Sequence, residues 1–213
     1  SYFHVGGFSR TGEGVRDTGF NGKEGGQIKA NLTTEFDGGY IRVHGKYLDD
    51  STPTILPQPV AVTGTDSDPD YTAIANFDPR TASLYSRYIS AARTLDGDNN
   101  PTTYDIHDGL SVKSAAFGVE AEVEFAPGWT LTNRFRYADN SGSFVSPFPA
   151  SVGDAQAIAD GIGGAGSSIV LASGPDAGQA VANPAALGGN GLLTNVVLFN
   201  VRLNDLDYLV NDL

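Results

Sequence analysis

Hydrophobic and polar residues alternate along the stretch WTLTNRFRYA, residues 129–138. One parity carries the apolar side chains Trp129, Leu131, Phe135 and Tyr137, and the other carries Arg134 and Arg136. Such alternation predicts a β-strand with one apolar and one polar face. Strand periodicity also marks residues 2–10, 27–36, 40–48 and 116–125. We therefore predict an all-β fold of antiparallel strands.

Two short connections between these segments predict β-hairpins. In FDGGY, matching the apolar faces pairs Phe36 with Ile41 and leaves Gly38 and Gly39 in a two-residue primed turn. In FAPGW, the same matching pairs Phe125 with Leu131. The odd loop Pro127, Gly128 and Trp129 then needs Gly128 or a β-bulge to absorb one residue. In this register Glu120 faces Arg136, and Glu122 faces Arg134.

The other predicted connections are long, and the longest cover residues 50–110 and 139–191. Short turns at one end of the strands and long loops at the other are typical of outer-membrane barrels. Aromatic residues mark both strand ends: Phe36, Tyr40, Phe125 and Trp129 lie near the short turns, and Tyr47 and Tyr137 near the opposite ends. This distribution resembles the two aromatic girdles of a membrane-spanning barrel.

The polar parity of the predicted strands carries most of their charges. We expect these side chains to face the barrel lumen: Arg42, Lys46, Glu120, Glu122, Glu124, Arg134 and Arg136. An arginine on the lipid face would cost about 2–4 kcal/mol at the midplane, which favours the apolar side facing outward. The predicted fold is thus a segment of a transmembrane β-barrel with long loops. A soluble β-sandwich adhesin, with the same apolar face as its core, is the alternative that this pattern leaves open.

Composition narrows the class of protein. The chain of 213 residues has no cysteine, which excludes a disulfide framework and thiolate chemistry. Its net charge of −12 argues against a nucleic-acid partner, because phosphate contacts need clustered lysine or arginine. No apolar run approaches the roughly 20 residues of a membrane helix. We expect a short helix within residues 151–162 and further strands in 195–203 and 207–213.

Several motifs resemble the barrel of TonB-dependent outer-membrane receptors, especially those of sphingomonad-like proteobacteria. They are GVRDTGF, GGQIKANLTTEFDGGYIRVHGKYLDD, GWTLTNRFRYADNSGSF and LNDLDYLVNDL. The resemblance implies a Gram-negative envelope protein that imports siderophores, glycans or similar solutes, with outer-membrane lipid and the remainder of the barrel as partners. The chain has no recognisable plug domain and no TonB box, so we expect residues 1–213 to form part of a longer receptor. TonB would be contacted only through regions outside this segment.

Candidate chemistry is sparse. Asp66, Asp68 and Asp70 have calcium-like spacing, but the EF-hand glycine is replaced by Tyr71, so a solvated acidic loop is favoured over a Ca²⁺ site. No serine lies in a nucleophile elbow, and we expect neither enzymatic activity nor a cofactor. Three loop aromatics are the candidate ligand contacts: Tyr104, Phe144 and Phe148.

A structural role is the second hypothesis. A barrel segment that is cut from its neighbours has two strand edges with unpaired backbone groups. Identical copies could satisfy both edges by stacking, as in a cross-β fibril core. The segment could then form an extracellular amyloid-like filament, a homopolymer of a proteolysed receptor.

Overall fold

A computed structural model describes all residues from Ser1 to Leu213. The fold is all-β and its sheets are antiparallel, as the sequence predicts. Its strands are β1 (Tyr2–Gly12), β2 (Lys23–Phe36), β3 (Gly39–Thr52), β4 (Ala61–Thr65), β5 (Asp68–Thr72), β6 (Ala91–Leu95), β7 (Pro101–Asp105), β8 (Leu110–Ala126), β9 (Trp129–Asp154), β10 (Leu192–Leu203) and β11 (Tyr208–Asp212). One α-helix, α1 (Ala155–Gly163), follows β9, and two 3₁₀ turns cover Ile106–Asp108 and Pro184–Gly189.

One large sheet organises the molecule. Its order is β1-β2-β3-β8-β9-β10, so every long strand pairs with the next long strand along the chain. The short strand β11 pairs with the first part of β9, and β10 pairs with the last part. β10 and β11 therefore form one interrupted sixth strand. The sheet is an open up-and-down meander with β1 at one edge and β10–β11 at the other.

Both hairpin registers differ by two residues from the sequence prediction. Phe36 pairs with Gly39, so Asp37 and Gly38 form the first turn, and only Gly38 has a positive φ, 84°. The turn is therefore not the primed type, which needs a positive φ at its first central residue. A shift of two residues keeps each side chain on its predicted face, because the side-chain period of a strand is 2.

The second hairpin contains a β-bulge, one of the two predicted ways to absorb the extra residue, but its turn has two residues instead of the predicted three. The register shifts between Glu124 and Ala126, so Phe125 is the extra residue and the turn contains only Pro127 and Gly128. Glu120 consequently pairs with Arg134 rather than Arg136. The predicted pairing of Glu122 with Arg134 is also wrong.

The long connections contain more structure than the sequence suggested. The predicted loop 50–110 contains two small hairpins, β4–β5 and β6–β7. The predicted loop 139–191 is wrong in its first part, because β9 continues through Asp154 between β8 and β10. The helix expected within 151–162 is observed as α1, and its first turn is capped by the Asp154 side chain, which accepts from the N–H of Ala157 at 2.8 Å.

Few residues of the chain are buried. Only 15 of 213 residues are buried, and the accessible surface is 13585 Å². A compact monomer of 22.2 kDa is expected to expose about 9,400 Å². The excess, about 4,200 Å² by the same scaling, means that the chain buries far less surface than a compact monomer of its size.

The buried residues that do exist gather largely at the loop end of the sheet. Tyr85, which is 3% exposed, donates its hydroxyl hydrogen to the backbone oxygen of Val145 at 2.9 Å. Its hydroxyl also lies 2.8 Å from the hydroxyl of Thr54, which donates to Ser146. Phe20 stacks on His107 with ring centroids 3.8 Å apart. The hydrogen bonds of Tyr85 and Thr54 fix the connection between β3 and β8 against the upper part of β9, and the stacked rings join that connection to the one between β1 and β2.

The helical content offers no membrane-crossing element. No helix in the structure combines the length and the apolarity that crossing a bilayer requires.

Candidate functional site

One face of the large sheet is an exposed apolar belt. Two adjacent registered rows run across it: Phe3, Leu32, Val43, Val119 and Phe135 form one, and Val5, Ala30, Phe117, Tyr137 and Leu209 form the other, nearer the loops. Phe3 is 76% exposed and Leu209 is 65% exposed. No second layer of the protein packs on this face, so it is not the core of a two-sheet sandwich.

The belt is not wholly apolar. Asn133 lies on the same face as Phe135, and its side-chain amide donates to the Asn211 side chain at 3.1 Å and to the Asp212 backbone oxygen at 3.0 Å. The side-chain nitrogen of Asn133 therefore has hydrogen-bond partners within the sheet. Such pairing lowers the cost of placing a polar group in an apolar environment.

Aromatic side chains border the belt at both ends. Phe125 and Trp129 lie beside the short turn with ring centroids 6.4 Å apart, and they are 63% and 67% exposed. Tyr47 and Tyr137 lie on the belt face toward the loops. Tyr40 was predicted with the first group, but it lies on the opposite face, where its hydroxyl donates to Glu120.

The opposite face carries the charges that were predicted to face a lumen. By register, this one face holds Arg42, Lys46, Glu120, Glu122, Glu124, Arg134 and Arg136. Glu120 is the centre of the ionic contacts on this face. Its carboxylate lies 3.8 Å from Arg42 Nη1 and 3.8 Å from Arg134 Nε.

The remaining charges of this face have different partners. Arg136 lies over the Tyr208 ring at 5.6 Å, and Glu124 accepts from the N–H of Gly128 at 3.3 Å. Glu122 lies opposite Tyr40 and Thr132 and forms no ion pair. The contact between Arg42 and Glu120 was not predicted, since the strand that follows β3 in the sheet lies 58 residues further along the chain.

The three aromatic residues proposed as ligand contacts fall into two places. Phe144 and Phe148 flank Phe199 of β10 at centroid distances of 6.1 and 5.4 Å. Tyr104 instead lies 4.6 Å from the guanidinium of Arg202. Arg202 pairs in register with Ser143, so it projects from the face opposite to Phe144. Sequence reasoning missed Phe199 because the strand pairing that places it beside β9 spans about 50 residues of chain.

A polar groove of about 480 Å³ opens above the belt on the same face. Its floor is the registered row Glu24, Ser51, Ser111, Ser143 and Arg202. Its rim comes from the connections around Phe20 and His107. Two ion pairs at 3.1 Å cross it, Lys113 with Asp49 and Arg202 with Asp108.

One loop carboxylate at this end has a displaced pKa. The backbone N–H of Gly19, a hydrogen bond with Asp17 and the N–H of Thr18 together lower the pKa of Glu13 from its ordinary value, against the opposing effect of desolvation. The N–H groups of Thr18 and Gly19 both lie 2.9 Å from one carboxylate oxygen. The ionised carboxylate thus shapes the connection between β1 and β2.

The acidic triplet does not form a metal site. Asp66 lies in the turn of the β4–β5 hairpin, and Asp68 and Asp70 lie on β5, all exposed. The structure contains no group of three or more His, Cys, Asp or Glu side chains that could hold a metal ion. This geometry does not support the calcium alternative.

Comparison of the chain with protein-family models, curated proteins and solved structures finds no match in any of the three. The functional interpretation therefore rests on the geometry of the sheet together with the sequence motifs.

Proposed function

We propose that this chain forms part of the wall of a TonB-dependent outer-membrane receptor that takes up a siderophore, a glycan or a similar solute. The observation that carries the proposal is the apolar belt, which crosses the long strands of an up-and-down meander and is covered by nothing in the chain. Up-and-down connectivity is the arrangement used by transmembrane barrels.

The dimensions of the belt support a bilayer as its partner. From Trp129 to Tyr137, β9 advances eight residues, or about 27 Å at ~3.4 Å per residue. Tilted by about 40°, this length spans about 21 Å, close to the ~25 Å apolar band of outer-membrane barrels. The aromatic residues at both ends then lie at the two interfaces.

The distribution of connections supports an orientation. The two short turns, at Asp37–Gly38 and Pro127–Gly128, would face the periplasm. The three long connections, with the polar groove and the Phe144–Phe148–Phe199 cluster, would face outward. In this arrangement the solute meets the loop end first, and the charged face lines the lumen.

The single tryptophan of the chain allows a direct test. In a Trp129→Phe background, Phe135→Trp places the probe on the belt, whereas Thr132→Trp places it on the charged face. After reconstitution in vesicles, we expect brominated acyl chains to quench the probe at position 135 and leave the probe at 132 unquenched. Equal quenching at the two positions, or quenching at 132 alone, would refute the proposal.

A further inference from the structure

Within residues 1–213, the large sheet ends at β1 on one side and at β10–β11 on the other, and few features of either edge strand would hinder pairing with a further strand. β1 is eleven residues long and contains neither proline nor lysine, and β10 has the sequence LLTNVVLFNVRL. Natural edge strands are usually blunted by proline, lysine, bulges or short length. Here only the shift between Asn195 and Val196 and the break between β10 and β11 interrupt one edge. Both edges are therefore competent to pair with another strand.

The directions of the two edges are complementary. β1 runs from the short-turn end to the loop end, and β10–β11 runs the opposite way, because the meander has an even number of strand positions. A second copy related by translation across the sheet would thus place its β1 antiparallel to β10–β11 of the first. Strand directions would then keep alternating across the junction, and the apolar faces of the two copies would lie on the same side of the joined sheet.

The belt distinguishes this head-to-tail contact from a symmetric one. If the second copy continues the registered rows of the first, its Val5 lies beside Leu209 of the first copy, and the belt stays at one height across both copies. Pairing β1 with a second β1 about Gly7 would instead set Phe3 opposite Thr11 and Val5 opposite Ser9. That arrangement opposes apolar to polar residues and breaks the belt.

Charge also favours the unlike edges. β1 carries one arginine, Arg10, and no acidic residue, whereas residues 192–212 carry three aspartates and one arginine. Two copies of the acidic edge would repel each other. The net charge of −12 opposes any association at low salt, so screening should promote assembly.

We propose that copies of this 213-residue chain join head to tail, with β1 of one copy pairing with β10–β11 of the next. The contact is heterologous, so it does not terminate at a dimer, and it forms an open filament unless the sheet curves into a closed ring. This inference concerns the 213-residue chain by itself and is separate from the receptor proposal, in which further strands of the same protein would occupy these edges.

The absence of cysteine from the chain makes cross-linking a clean test. The double variant Val5→Cys with Leu209→Cys, refolded as the full chain and oxidised, should give a ladder that extends beyond the dimer. Val5→Cys paired with Asn211→Cys repeats the test one belt position away, in case the register slips by two residues. The matched controls are the single variants Val5→Cys and Leu209→Cys, which should give no disulfide-linked species on a non-reducing gel, because the head-to-tail contact offers their one cysteine no partner.

The outcomes separate the alternatives. Dimers in the single variants, equal in yield to those of the double variants, would show a symmetric contact and overturn the head-to-tail assignment. Absence of disulfide-linked species in both double variants would overturn the proposed head-to-tail contact, yet it would leave the lipid-quenching test of the receptor unaffected. Electron microscopy of the unmodified chain gives an independent measurement: six strands at ~4.8 Å spacing predict an axial repeat of about 29 Å in an extended filament.

Discussion

Replacing Val43 by arginine tests whether the belt faces hydrocarbon. Val43 lies on β3 between the short turn Asp37–Gly38 and the aromatic Tyr47, and it is 38% exposed in the bare chain. Its registered neighbours on the belt are Leu32 and Val119. The position therefore lies near the middle of the proposed bilayer band.

The expected magnitude follows from the environment on each side of the sheet. Arginine at the lipid-facing midplane of a barrel costs about 2–4 kcal/mol, whereas an exposed substitution in water usually changes stability by about 0.5 kcal/mol or less. The matched control is His44→Arg, one residue further along the same strand and on the charged face. We expect Val43→Arg to lower the free energy of unfolding by about 2–4 kcal/mol and His44→Arg to leave it within about 0.5 kcal/mol.

The assay is guanidinium unfolding of the chain in lipid vesicles, followed by Trp129 fluorescence. The same pair of variants in detergent-free buffer provides the reference, because there the difference between the two faces should largely disappear. If Val43→Arg and His44→Arg cost the same small amount in vesicles, the belt does not contact lipid and the orientation of the sheet has been misassigned.

Two further predictions concern the charged face and the loop end. Glu120→Gln should lower the free energy of unfolding by roughly 0.5–2 kcal/mol, because two part-exposed ion pairs of about 0.2–1 kcal/mol each are lost. The control Glu122→Gln should change it by less than about 0.5 kcal/mol. Urea unfolding of both variants checks this, and a larger effect at Glu122 would contradict the observed register. Tyr85→Phe should lower the free energy of unfolding by about 1–3 kcal/mol, because it leaves the buried backbone oxygen of Val145 without its donor. Amide hydrogen exchange around Val145 should become faster in this variant. Unchanged exchange there would show that the Tyr85 hydroxyl does not anchor the loops.

The strands and their faces could be predicted because alternation is a local property. Neighbouring residues decide whether side chains such as Leu131 and Arg134 fall on opposite sides. The exact register could not be predicted in the same way. Matching apolar faces determines only the parity of the pairing, and registers that differ by two residues satisfy it equally well. The turn at Asp37 and Gly38 selects one of these registers, and matching of apolar faces contains no information about the turn.

The upper part of β9 illustrates a second limit. Residues 139–143, DNSGS, have the composition of a turn, and local propensity predicts a loop there. In the structure this stretch is paired with β8 on one side, and Leu206 and β10 approach it on the other. Backbone pairing on both sides outweighs weak propensity, and the strand continues. The site residues that depend on it, Phe199 and Arg202, lie too far along the chain for sequence patterns to place them.

The length of β9 has a consequence for how far the protein reaches. Phe148 lies eleven residues beyond Tyr137 on the same strand, which corresponds to about 37 Å along the strand direction. Because β10 pairs with this upper part of β9, the two strands form a hydrogen-bonded ladder there and not an irregular loop. With the tilt of about 40° used for the belt, Phe148 would lie about 28 Å beyond Tyr137 along the bilayer normal. Under the proposed function, this ladder would present its aromatic side chains to a solute above the membrane surface without first having to order a loop.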